Sequence, residues 1–351
     1  MVDSVDVAGK VAVIGAGSWG TAAAGLVAPH ATKVVLWAHS EEVASGIRDS
    51  GRNPRYLRGY DLPANVTASS DIAECLLDAE ACLVVVPSSH LRATSHKMAP
   101  YVSSDLPILV LTKGIEADTG LAMDQVVSDE LGNPMRVCAL SGPNHAEEIC
   151  LGKVSASVIA GRDMDIARMF QGLVLSPEFR TYVTDDVEGV EVCGAVKNVI
   201  AIAAGVAVGS GAGDNTLAVI MTRGLAEIGR IAAACGGNPR TCMGLAGMGD
   251  LIATCTSEHS RNRTFGEALV RGESLEDYEA RTHMVVEGAR AARSVWELAH
   301  AKGVDVPITD AVHAFLYEGI PMAEVMASLL ARTPGEEFYG FEKCVAEKNA
   351  R

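Results

Sequence analysis

The sequence predicts an α/β fold: a parallel sheet covered by helices, followed by a helical C-terminal part. Three observations carry that prediction. A run of buried-strand character, Val11-Ala12-Val13-Ile14, passes directly into Gly15-Ala16-Gly17-Ser18-Trp19-Gly20. Several later segments are apolar throughout, as strands buried on both faces are. From about Asp186 the strand signal stops, and long alanine-rich, glycine-punctuated segments of high helix propensity take over.

Each element follows in order. Val11–Ile14 is the first strand and Thr21–Val27 the helix after the glycine turn. Lys33–Trp37, Ala81–Val86, Pro107–Leu111, Arg136–Leu140 and Ser155–Ala160 read as further strands, with Phe179–Val183 closing the sheet. Val190–Val208, Asn215–Cys235 and Val285–Ala301 read as helices. The change of pattern places a domain boundary between Thr184 and Val192, giving a sheet domain at 1–189 and a helical one at 190–351. Pro334-Gly335 is a turn, and the polar tail after Lys343 is expected to fray.

Bulk properties exclude several function classes. A net charge of −15 repels nucleic acid and anionic lipid, so a phosphorylated ligand would need a locally basic pocket. Nine scattered cysteines with no C-x-x-C pair and no secretory leader argue for reduced thiols in a cytoplasmic compartment and against a metal site. The most apolar stretch, Val199–Val208, is short against the roughly 20 residues that span a bilayer and reads as a core helix, so no stable membrane insertion is expected.

The glycine turn announces a dinucleotide. Gly15 permits the tight turn off the strand, Gly17 lets the backbone approach a pyrophosphate, and Gly20 lets the next helix pack on the sheet. Free amides and the positive end of the helix dipole then face the phosphates. Where the second strand ends, such a fold reads the adenosine ribose, commonly with an acid on its 2′-hydroxyl. Here the residues are Ala38-His39-Ser40, which leave a 2′-phosphate unrepelled, while Glu41 one residue further keeps NAD in view.

Other polar residues stand at strand ends or inside apolar helices. Lys113 lies just past a strand's carboxyl end, where it is either a ligand contact or a solvated surface lysine. Ser141-Gly142-Pro143-Asn144 repeats the arrangement after another strand. Lys197 and Asn198 fall inside an otherwise apolar helix, where an ammonium is costly unless paired, used or snorkelled to water. Gly244 to Thr254 brings backbone close to something, with Asp250 at the end of its glycines. Ser260 can cap a helix starting at Arg261, offering free amides, a guanidinium and the Asn262 amide to one phosphate.

Together GAGSWG, NPRYL (53–57), VPS (86–88), TKG (112–114), SGPNHAEE (141–148), VKN (196–198), GLAGMGDLIATC (244–255), SRN (260–262) and VVEG (285–288) resemble the bacterial type of NAD(P)-dependent glycerol-3-phosphate dehydrogenase, collinearly from Val11 to about Ala331. The resemblance implies a doubly wound, Rossmann-type domain followed by an all-helical C-terminal domain. It implies interconversion of sn-glycerol 3-phosphate and dihydroxyacetone phosphate for phospholipid synthesis, with NAD(P) as cofactor and a homodimeric assembly. By motif, Lys197 matches the proton acceptor, with Thr254 and Asn198 its polar neighbours, and Lys113 matches a lysine touching both cofactor and substrate. Gly142, Asn144, Asp250, Ser260, Arg261 and Asn262 match substrate positions. Cofactor positions are Ser18, Trp19, His39, Ser40, Tyr56, Lys113, Ala146, Arg261, Val285 and Glu287. The chain departs from many relatives at His39 and Ser40, where arginine is common, and at Asn144-His145, where Ser/Thr-Phe is commoner. Dual cofactor use with a modest NADPH preference is therefore expected.

Two rival readings fit parts of the pattern. A β-hydroxyacid dehydrogenase also joins a dinucleotide domain to a helical one, but its catalytic lysine and asparagine lie a helical turn apart, whereas Lys197 and Asn198 are adjacent. A nicotinamide-sensing regulator would need neither a lysine in an apolar helix nor a second phosphate site.

Overall fold

The computed structural model describes residues 8–282, 285–337 and 339–340. The frayed tail expected after Lys343 lies outside them. By its internal contacts the chain forms two compact units, the first running to Lys113 and from Met123 to Val187, the second comprising Gly114–Ala122 and everything from Glu188. The segment Gly114–Ala122, expected in the sheet domain, thus belongs with the helical unit. It is closed by an antiparallel bridge between Ile115 and Ala122, and Gly120 sits against Leu298 of the second unit.

The first unit contains β1 Ala8–Ile14, α1 Ser18–Val27, β2 Ala31–Trp37, α2 Glu41–Ser50, β3 Val66–Ser69 and α3 Ile72–Leu76. It continues with β4 Ala81–Val84, α4 Ser88–Met98, β5 Ile108–Val110, α5 Met123–Leu131, β6 Val137–Ser141, α6 Ala146–Cys150, β7 Ser155–Gly161, α7 Met164–Val174 and β8 Phe179–Thr184. The strands form one sheet in the order β3-β2-β1-β4-β5-β6-β7-β8, so the winding reverses next to β1, the doubly wound pattern. Val11 to Ile14 and all of β4 are buried, which is why they read as unbroken apolar runs.

Two expectations need correction. The sheet is not wholly parallel: β7 runs antiparallel to β6, pairing Cys138 with Gly161 and Ser141 with Val158, while β8 lies parallel to β7. The five-residue α6 is too short to carry the chain back along the sheet, so β7 starts at the end where β6 finishes. Burial looks the same in either direction, which is why composition did not reveal the reversal. The edge strand β3 was also missed. Only four residues long, Val66-Thr67-Ala68-Ser69 lacks the apolar run that marks inner strands.

The second unit contains α8 Val187–Gly209, α9 Asp214–Ala234, α10 Asp250–Thr256, α11 Arg261–Val270, α12 Leu275–Thr282, α13 Glu287–Ala301, α14 Pro307–Tyr317 and α15 Met322–Ala331. Helix α8 has 23 residues, its most apolar 18-residue window has a mean hydropathy of 1.8, and by length and composition it could cross a membrane. Its most apolar window is 78% buried inside the protein, the environment of a core helix. Glycines bring α8 against α11. A Cβ on Gly205 would stand 2.0 Å from the Arg263 carbonyl oxygen, and one on Gly266 would stand 2.3 Å from that of Ile202. The two backbones touch directly, and any side chain there would push the helices apart.

Candidate active site

In the first unit the glycine turn has the shape the sequence demands. Gly15 takes φ 123°, and a Cβ there would lie 2.6 Å from the Val85 carbonyl oxygen. A Cβ on Gly20 would come within 1.7 Å of the Gly15 carbonyl oxygen, so the turn and α1 close only around glycine. Gly17, the N-cap of α1, is different: a Cβ there would meet nothing within 4 Å, and no side chain caps the helix. The turn therefore presents open space and the helix N-terminus holding Ser18, Trp19 and Gly20, a fitting cradle for the pyrophosphate of NAD(P).

A residue not singled out in the sequence braces this turn. Asn53, fully buried, donates to the Ala16 carbonyl (2.9 Å) and the Thr21 hydroxyl (2.8 Å), and accepts from the backbone of Arg55 and Tyr56, both at 3.0 Å. It thereby fixes the loop carrying the exposed Tyr56 to the glycine turn. The signal was present as an asparagine heading the Asn53-Pro54 turn, a residue type that bonds nearby backbone.

At the tip of β2, His39 is exposed with its ring edge against Trp37, and Ser40 heads α2 without a side-chain capping bond. Past β5, the Lys113 ammonium donates to the Gly142 carbonyl and to Asn144 Oδ1, both at 3.2 Å. Gly142 takes φ 149°, and a Cβ there would lie 2.7 Å from Ser157 Cα, so no other residue fits. Asn144 Nδ2 and Trp19 Nε1 are buried donors without a protein partner. Ala146, also buried, opens α6 two residues after Asn144. The predicted residues Lys113, Gly142 and Asn144 are thus gathered at the carboxyl ends of β5 and β6.

In the second unit, Lys197 on α8 is 6% exposed and donates to Asp250 Oδ1 at 2.6 Å and to Thr254 Oγ1 at 2.7 Å. Thr254 in turn donates to the Asp250 carbonyl at 2.6 Å, so both partners are held by one turn of α10. Gly244 to Gly249 form a wide π turn that delivers Asp250: Gly249 N–H donates to the Gly244 carbonyl at 3.1 Å, five residues back. A Cβ on Gly247 would stand 2.1 Å from the Cys242 carbonyl oxygen. The ammonium is therefore paired within the core and does not snorkel.

The remaining asparagines form a chain of their own. Asn262 Nδ2 donates to Asn198 Oδ1 and Asn262 Oδ1 accepts from Gly288 N–H, both at 2.9 Å, while Asn198 Nδ2 donates to the Gly194 carbonyl at 3.4 Å. Asn198, next to Lys197 in the chain, thus bonds Gly194 and Asn262, and the Asn262 amide engages its oxygen and one Nδ2 hydrogen inside the unit, leaving its second Nδ2 hydrogen as a donor. Ser260 caps α11 as expected, accepting from Arg263 N–H at 3.3 Å. Arg261 at the first helical position is exposed and donates to the Val285 carbonyl at 3.1 Å, and Glu287 begins α13 two residues later. Burial pushes the nearby Cys255 thiol up to about 12, so it supplies no nucleophile. Among the described residues no cluster of histidine, cysteine or acidic side chains could hold a metal ion.

A dinucleotide turn on a doubly wound sheet, with a buried lysine and a capped helix start in a helical unit, defines a nicotinamide-dependent oxidoreductase. Models of the NAD-dependent glycerol-3-phosphate dehydrogenase N-terminus and C-terminus match residues 10–167 and 186–327. The chain is 47% identical over 330 residues to glycerol-3-phosphate dehydrogenase (NAD(P)+) of Corynebacterium jeikeium, covering 93% of this chain and 99% of that protein. The crystal structure of glycerol-3-phosphate dehydrogenase from Coxiella burnetii superposes with a TM-score of 0.88 at 34% identity, covering 93% of this chain and all of that one. The Saccharomyces cerevisiae enzyme does so with a TM-score of 0.80 at 27% identity and similar coverage. The chain belongs to the NAD(P)-dependent glycerol-3-phosphate dehydrogenase family. Its substrate is accordingly a small phosphorylated molecule.

Proposed function

We propose that the protein interconverts sn-glycerol 3-phosphate and dihydroxyacetone phosphate, with Lys197 as the proton carrier, in a cytoplasmic homodimer that supplies glycerol 3-phosphate for phospholipid synthesis. The observation that carries the reading is the buried Lys197 held by Asp250 and Thr254. When bound, NAD(P) supplies or accepts the hydride. In the reductive direction the Lys197 ammonium donates its proton to the carbonyl oxygen of the ketone, and in the oxidative direction the neutral amine takes the proton of the central hydroxyl. Asp250 and Thr254 fix two donors of the nitrogen, which aims it and stabilises its charged form.

Arg261 and the amides opening α11 hold the substrate phosphate, a site that combines a charge-assisted bond with a helix N-terminus. Lys113 stabilises negative charge developing on the substrate oxygen. Phosphate binding remote from the reacting carbon orients that carbon. The glycine turn, His39, Ser40, Tyr56, Ala146, Val285 and Glu287 are assigned to the cofactor. The test is oxidation of NADPH and of NADH on adding dihydroxyacetone phosphate, with sn-glycerol 3-phosphate identified as product. Turnover with a 3-oxo acid and not with the triose would replace this reading by the β-hydroxyacid one.

A further inference from the structure

The turn after β2 is followed at once by a carboxylate, Glu41, the type of group that accepts a bond from a ribose 2′-hydroxyl and repels a 2′-phosphate. Its two oxygens are already engaged. Oε2 accepts from the Ser70 hydroxyl at 2.5 Å and Oε1 pairs with the Arg48 guanidinium. Arg48, two turns further along α2, also donates to the Ala68 carbonyl of β3 at 3.1 Å. Ser70 is itself fixed beside the tip of β2: Trp37 pairs with Ser69, Ala38 N–H donates to the Ser69 carbonyl at 2.9 Å, and Trp37 Nε1 donates to the Ser70 carbonyl at 3.0 Å. The next carboxylate, Glu42, is paired with Arg55 at 2.5 Å.

We propose that Arg48 and Ser70 form a latch that sets cofactor choice by drawing the Glu41 carboxylate onto the edge strand, away from the 2′ end of the adenosine ribose. With the latch closed, His39 and Ser40 meet that end and a 2′-phosphate is tolerated. With it open, Glu41 turns to the ribose and selects NADH. The bonds from Ser70 and Arg48 keep the Glu41 acid below its ordinary range, and once released from them it returns toward the ordinary value of 4.5, still fully ionised at neutral pH. Arg48 and Ser70 are positioning residues in this account.

The inference rests on the NAD(P) reading of the β2 turn, and the test separates the two. The ratio of Kd for NADH to that for NADPH, from fluorescence titration without substrate, and the matching ratio of kcat/KM are measured in the full-length protein for Arg48→Met, Ser70→Ala and Glu41→Gln, for the doubles carrying Glu41→Gln, and for Ser40→Asp. Exposed ion pairs contribute little to stability, so these variants are expected to fold, and Ser70→Ala carries the test alone should Arg48→Met not. The latch predicts a shift toward NADH of about five- to tenfold in Arg48→Met and Ser70→Ala. It predicts that the shift vanishes in the Glu41→Gln background. A shift that persists there would mean that Arg48 meets the phosphate itself, and the latch would be wrong. No shift in the latch variants with a clear one in Ser40→Asp overturns the latch but leaves the ribose at this turn. No shift in any variant overturns both.

Discussion

The first unit shapes its glycine turn from main chain, whereas the second builds the cluster around Lys197 from buried side chains. In the glycine turn the decisive features are absences: no Cβ at Gly15 or Gly20, and open space above Gly17. Around Lys197 they are presences, an ammonium, a carboxylate and a hydroxyl locked at 2.6–2.7 Å inside a helical core. A main-chain site tolerates side-chain changes but not added bulk. A side-chain site depends on each functional group, since losing one leaves the others buried and unpaired.

That contrast can be broken or sharpened by substitution. Lys197→Ala should lower kcat by about 10²–10⁴-fold while NADPH affinity stays near wild type, measured by turnover and by cofactor fluorescence titration. Near-normal turnover would remove the lysine from the chemistry. In the glycine turn, Gly20→Ala forces a Cβ into the Gly15 carbonyl, an overpacking that costs about 1–3 kcal/mol. It should weaken cofactor binding by roughly five- to hundredfold, while Ser18→Ala in the same turn changes it little. If Ser18→Ala proved the more damaging, the main-chain account of this site would fail.

Arg261→Ala should raise KM for dihydroxyacetone phosphate by roughly tenfold or more, as loss of a charge-assisted phosphate bond does, and leave reduction of dihydroxyacetone nearly unchanged. Equal losses for both ketones would move Arg261 from the substrate to the cofactor. The smallest effect concerns Glu227, a buried acid in the second unit that accepts from Ile308 N–H and from the Thr309 N–H and hydroxyl at the start of α14. Burial raises it from 4.5 to about 7, so the folded protein holds this proton where the unfolded chain has lost it. Its contribution to stability is complete below about pH 4.5 and is lost as the pH rises through about 7. Thermal melts across that window should show a downward slope with rising pH that Glu227→Gln flattens, and an unchanged slope would count against it.

The same contrast explains what was legible in the sequence. Glycine constraints and capping residues are written in residue type and spacing, so the glycine turn, the inner strands beside it and the Ser260 cap could be read directly. The Lys197 pairing was half visible: a lysine in an apolar helix stood out and the resemblance made Thr254 its neighbour, but that Asp250 and Thr254 both bond the ammonium depends on how α10 packs on α8. The engagement of Asn262 with Asn198 and Gly288 was invisible, because an asparagine at a helix start reads the same whether its amide faces a ligand or a neighbouring backbone. Asn53 escaped for a related reason: its two local bonds to Arg55 and Tyr56 read as an ordinary turn, while the two that brace the glycine turn, to Ala16 and Thr21, reach a segment far away in the chain. The reversal at β7 escaped because burial carries no strand direction.

The central claim is that Lys197 carries the proton, and rescue by added amines tests it most directly. Lys197→Ala empties the space of the side chain beside Asp250 and Thr254, where a small primary amine such as methylamine can take the ammonium's place. Reduction of dihydroxyacetone phosphate by the variant should then recover in kcat with amine concentration, saturably, and with larger amines less effective. A folded variant that binds NADPH normally, yet gains nothing from any amine, would contradict the assignment.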